Sequence, residues 1–153
     1  MKVFAEPGSL LQAAGQHLGV SGWRTISQRD IDTFAELTGD DQWIHVDVDR
    51  AAAGPWGTTI AHGYLLAGLL TPLLAELFAV HGTGLAVNGG LEQLRFVTPV
   101  PAGSRIRAGA AIAEAVAVPG GFVSLSLAVT VEREGQRRPA LTARTHSLYR
   151  AAG

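Results

Sequence analysis

Two periodicities divide the chain. From residue 123 to 131 the odd positions hold Val123, Leu125, Leu127, Val129 and Val131, and the even ones Ser124, Ser126, Ala128 and Thr130. Alternation of this kind marks a strand with one buried face. Ile106, Ala108, Ala110 and Ile112 repeat the pattern against Arg105 and Arg107, and residues 91–97 and 141–149 complete a set of about four strands. Pro119-Gly120-Gly121 and Glu134-Gly135-Gln136 supply turns between them.

The first half of the chain follows a helical period instead. Residues 9–17 are expected to form a short helix and residues 20–25 a strand. Ser27 is a natural N-cap, with Asp30 three residues on and Asp32 in the first turn, where carboxylates suit the helix dipole. Ile31, Phe34, Ala35 and Leu37 then recur at helical spacing, and Gly39 is the expected stop. Asp49 is positioned to cap a short helix over 50–53, followed by the loop Gly54-Pro55-Trp56-Gly57. Residues 64–80 are apolar almost throughout and predict one long helix, ended by Gly82 and Gly84.

That order (strand, helices, a long apolar helix, then antiparallel strands) is an α+β layer arrangement. A sheet curled round the long helix would explain why the helix lacks a polar face. The alternative is a membrane span. Residues 64–80 give ~25 Å of helix at the usual rise, short of the ~20 residues a bilayer takes. His62, Thr71, Pro72 and Glu76 also fall in or beside the stretch, so a buried helix and no membrane span are expected.

The 153 residues fit one domain over 1–153, and 47% hydrophobic content supplies a full core. Charged residues make up only 16%, below the roughly 25% of average soluble domains, which suggests that part of the surface is covered in an oligomer. The net charge is −1, without a basic stripe, so nucleic-acid binding is not expected. The absence of cysteine excludes disulfides, thiolate metal sites and cysteine nucleophiles. No apolar run follows the N-terminal lysine as a signal peptide would require. A cytoplasmic setting is the expectation.

Two segments carry candidate chemistry. Asp40 and His45 lie five residues apart just after a helix stop, where a loop could turn both toward one pocket. A carboxylate beside an imidazole can hold a water and take its proton near neutral pH. The same spacing also suits a surface loop of solvated acids. Gly63 stands at the entrance of the apolar helix, where free backbone amides and the helix dipole can stabilise an oxyanion. It could equally be a packing glycine.

Taken together, Thr38-Gly39-Asp40, Ile44-His45-x-Asp47, Ala51 to Ala53 and Ile60-Ala61-His62-Gly63 resemble the motif of MaoC-like dehydratases and (R)-specific enoyl-CoA hydratases. Gly90 to Gly103, with Leu94-Arg95-Phe96 and Thr98-Pro99-Val100-Pro101, is similar to the family's second signature. The resemblance covers roughly residues 20–150. Gln42-Trp43 stands where the best-known members have Asn-Pro, as in the NodN-related branch, and bears on substrate preference more than on the reaction.

The resemblance implies a hot-dog fold, a curved antiparallel sheet around a central helix, and a homodimer with the thioester near its interface. It implies that Asp40 and His45 activate a water that adds to a trans-2-enoyl thioester carried by CoA or acyl-carrier protein, while the Gly63 amide takes the charge developing on the thioester oxygen. No metal or redox cofactor is called for. Gln42 would form a polar wall of the site and Thr71 would neighbour the pair, unless Thr71 bonds back to its own helix. Trp43 and Trp56 would line the acyl pocket or pack in the core. His62 belongs to the motif, with a structural role favoured. Arg95, Arg105 and Arg107 are the cations available for CoA phosphates, unless they form a solvated strand face. A hot-dog thioesterase and a non-catalytic acyl-thioester-binding subunit are the competing readings.

Overall fold

The computed structural model describes residues 1–153. A six-stranded sheet runs in the order β2-β6-β7-β8-β5, with β3 also paired to β6. Its long members are β5 (Thr83–Phe96), β6 (Arg105–Val118), β7 (Phe122–Arg133) and β8 (Leu141–Ala151), all antiparallel to their neighbours. Short β2 (His17–Val20) and β3 (Arg24–Thr25) lie along β6. The alternating residues explain the sheet's sidedness. Val123, Leu125, Leu127, Val129 and Val131 are buried together with Ile106, Ala108, Ala110 and Ile112 of β6 and Leu141 and Ala143 of β8.

This face receives α4 (Gly63–Ala75) through Leu66, Leu70 and Leu73, with Leu77 just beyond the helix. Those positions form one helical stripe. Tyr64, Gly68, Thr71, Pro72 and Ala75 fall on the opposite side and are exposed. The chain is thus an α+β hot-dog fold whose sheet covers one side of the central helix.

Helix α1 (Gln28–Thr38) begins as expected. Ser27 and Asp30 form a reciprocal capping box, and Gly39 ends the helix at φ 74°. Several boundaries differ from the sequence reading. Residues 9–17 do not form a helix; a 3₁₀ turn occupies Pro7–Gln12 and β2 follows. The strand expected over 20–25 is split between β2 and β3. The segment around His45 is not a loop but the single turn α2 (Trp43–Val46), and α3 (Val48–Ala52) is capped by Asp47, not Asp49: the Asp47 carboxylate accepts the Arg50 amide.

Helix α4 stops at Ala75 rather than near Val80, because Phe78–Val80 forms β4, which pairs in parallel with β1 (Lys2–Phe4). Gly82 serves the turn into β5 at φ 60°. Gly84 lies inside β5, where a Cβ would come within 2.8 Å of the Ala152 Cα.

Candidate active site

Three elements converge at the N-terminal end of α4. The residues between α1 and α2 bring in Asp40, α2 carries His45, and His62 occupies the N-cap position of α4. An Asp40 carboxylate oxygen and one ring nitrogen from each of His45 and His62 all lie within 4.8 Å of one another. Asp40 is exposed, whereas His45 and His62 are 6% and 2% exposed.

The His45 imidazole is held in one tautomer. Its Nδ1 is 2.7 Å from the Ile60 carbonyl. A carbonyl only accepts, so Nδ1 carries the proton and Nε2 keeps the free lone pair. Burial pushes the His45 pKa below the ordinary 6.5; the bond to Ile60 opposes this, His62 adds to the depression, and Asp40 opposes it. The imidazole is therefore neutral at physiological pH and available as a base through Nε2. His62 stacks on it with ring centroids 3.8 Å apart, and His62 Nε2–H donates to the Asp40 backbone carbonyl at 2.8 Å.

His45 and Gly63 line one cavity of about 240 Å³ together with Leu66, Phe96, Thr98 and Val100. Gly63 is the first residue of α4, so its N–H has no acceptor within the helix. A larger residue fits here only if Phe96 moves. A Cβ would lie 2.7 Å from the Phe96 ring, and that ring meets Tyr64 edge-on at 5.6 Å.

The other residues singled out in the sequence are placed differently. Gln42 is exposed at the N-cap position of α2 without a capping bond. Trp43 is not in the cavity: its ring packs against Gly54, and the Arg50 guanidinium stacks over it at 4.5 Å. Trp56 is 43% exposed and does not line the cavity. Thr71 lies about two turns further along α4, in a second groove of about 620 Å³ with Leu74, Phe78, Leu91 and Tyr149. Arg105 pairs with Glu134, just past the end of β7, and Arg107 with Glu132 on β7, each at 2.9 Å. Opposite charges therefore engage both. Arg95 has no carboxylate partner and immediately precedes Phe96.

Sequence reasoning missed Gln28 and Thr59. The Gln28 side chain donates to the His45 carbonyl at 2.8 Å and accepts from the Thr59 hydroxyl. No local signal announces such a bridge, because its ends are 17 and 31 residues away.

A MaoC-like domain matches residues 9–135. The chain is 45% identical over 149 residues to 3-hydroxyacyl-thioester dehydratase Z of Mycobacterium tuberculosis, covering 97% of this chain and 99% of the relative. It is 41% identical over 131 residues to nodulation protein N of Rhizobium leguminosarum bv. viciae, covering 84% and 81%. Among solved structures, one described as a monoamine oxidase regulatory protein from Archaeoglobus fulgius superposes with a TM-score of 0.78 at 26% identity, covering 99% of this chain and 98% of that one. Fold and relatives together define a hot-dog hydro-lyase. Within that class, the chain belongs to the MaoC-like dehydratase family.

Proposed function

We propose that the chain hydrates trans-2-enoyl thioesters to (R)-3-hydroxyacyl thioesters, or runs the reverse dehydration, with Asp40 and His45 as the catalytic pair. The observation that carries this reading is the shared cavity. His45, whose neutral imidazole leaves Nε2 unbonded, and Gly63, which opens α4, line the same cavity, and an Asp40 carboxylate oxygen stands within 4.8 Å of a His45 ring nitrogen.

In this mechanism a water sits between the Asp40 carboxylate and His45 Nε2. As its oxygen bonds to C3 of the enoyl group, a proton passes to the pair and the π electrons move toward the thioester oxygen. The Gly63 N–H meets the charge on that oxygen. A proton then returns to C2, on the face that the (R)-specific motif implies. Losing one such amide donor typically costs about 2.7–4 kcal/mol of transition-state stabilisation. The thioester itself accepts the electrons, so the protein's contribution is placement of water, base and dipole.

CoA or an acyl-carrier protein would present the thioester, and Arg95, free of any carboxylate, is the cation best placed for a carrier phosphate. Two copies would pair through β5 and the outward stripe of α4. Leu85, Val87, Leu91 and Tyr64 there are 39%, 44%, 45% and 70% exposed, and burying such a strip is what an obligate interface does.

The test is a steady-state assay with trans-2-enoyl-CoAs from four to sixteen carbons and chiral analysis of the product. Loss of the enoyl absorbance with formation of the (R)-alcohol is expected. Thiol release without hydration would identify a thioesterase, and binding without either reaction would identify a carrier-binding subunit.

A further inference from the structure

A half-buried polar group that this reading leaves without a task is the carboxamide of Gln28, at the start of α1. Its Nε2 donates at 2.8 Å both to the His45 backbone carbonyl and to the Asp32 carboxylate, and its Oε1 accepts from the Thr59 hydroxyl. These partners fix the amide's orientation: two acceptors face its nitrogen and one donor faces its oxygen. Thr59 is 1% exposed.

The contacts close a ring. The Ile44 carbonyl accepts the Ile60 amide at 3.0 Å, and the Ile60 carbonyl accepts His45 Nδ1–H at 2.7 Å. Gln28 thus grips the residue that bears the imidazole from one side. From the other, through Thr59, it grips the neighbour of the residue that orients the imidazole. Without it, both anchors of His45 join α1 to the site through nothing but packing.

We propose that Gln28, working with Thr59, is a positioning residue that fixes the place and tautomer of the His45 ring. The proposal rests on His45 being the base of the reaction above. Gln28 touches no reacting atom; its effect passes through the backbone carbonyl of His45 and the segment 59–60. Misplacing a catalytic group by about an ångström can cost a hundredfold in rate, so the effect belongs in kcat rather than in KM.

The experiment compares Gln28→Ala, Gln28→Glu, Thr59→Val and the double variant Gln28→Ala/Thr59→Val with the parent in enoyl-CoA hydration. Imidazole nitrogen NMR of each protein reports the His45 tautomer. Gln28→Ala is expected to lower kcat about ten- to a hundredfold with KM within about threefold. Its His45 signals should change from a single Nδ1–H tautomer to a mixture. Gln28→Glu keeps the shape but turns a carboxylate toward two acceptors, so it should be at least as impaired as Gln28→Ala. The double variant should be no worse than Gln28→Ala, since residues in one network do not add.

The proposal is overturned if Gln28→Ala and Gln28→Glu keep both the parent's kcat and its single tautomer, or if the Thr59→Val loss adds fully to that of Gln28→Ala. The NMR signal needs no turnover. A parent that holds one tautomer but hydrates nothing therefore refutes the hydratase reading alone, whereas a hydratase whose tautomer ignores Gln28 refutes this inference alone.

Discussion

His45 bonds the Ile60 carbonyl through Nδ1 and leaves Nε2 unbonded; in the proposed mechanism its buried setting determines at which pH it can serve. Because burial depresses its pKa below 6.5, the acid limb of the kcat/KM profile should fall at a pH below that value; a limb above 6.5 would exclude His45 as the group that must be neutral. The same shift bears on stability. The folded state binds the proton less readily than the unfolded chain, so this contribution is complete above 6.5 and is lost as the pH falls from there through the folded pKa. Gly63 makes a second residue-scale case. Alanine would place its Cβ 2.7 Å from the Phe96 ring, and such overpacking typically costs about 1–3 kcal/mol. Denaturant unfolding of Gly63→Ala should show that loss, and Gly63→Ala/Phe96→Ala should recover most of it; no recovery would mean that Phe96 is not the obstacle. Asp40, His45 and Gly63 stood out as candidates through the motif shared with MaoC-like dehydratases, since spacing and helix ends alone left a bland alternative for each. Gln28 did not, because His45 and Thr59, which its amide bridges, are 17 and 31 residues away in the chain.

At the scale of elements, caps were readable and ends were not. Ser27 and Asp30 satisfy each other's backbone donors, and Asp30 is held below the usual carboxylate range first by the Ser27 hydroxyl and then by the Ser27 amide. Ser27→Ala should therefore destabilise the protein by about 1 kcal/mol, read as a lower denaturant midpoint at unchanged slope; an unchanged midpoint would show that α1 is held by packing alone. The apolar run over 64–80 gave no warning that its last residues leave the helix. Phe78, Ala79 and Val80 are as apolar as what precedes them, and they become strand because Lys2, Val3 and Phe4 offer a parallel partner 76 positions away. The shift of the cap from Asp49 to Asp47 has a similar cause: α2 ends at Val46 and leaves Asp47 in extended backbone, the conformation an N-cap needs.

For the whole molecule, alternation in the second half of the chain was enough to foresee an antiparallel sheet on one helix. It did not foresee that β5 would be an edge strand with nearly every residue exposed. An edge of that length is a template for another strand, and light scattering should return twice the chain mass, whereas Val87→Lys should weaken the pairing; a monomer at micromolar concentration would contradict the proposed assembly. The site depends on the whole fold in another sense. Asp40 follows α1, His45 stands on α2 and His62 precedes α4, and α4 is the helix that packs on the sheet. The most direct test of the account is the hydration rate of crotonyl-CoA by Asp40→Asn and His45→Gln beside the parent, with calorimetric binding of a saturated acyl-CoA as the control. A loss of about 10²–10⁴-fold with binding preserved is predicted; variants that hydrate at the parent's rate would contradict it.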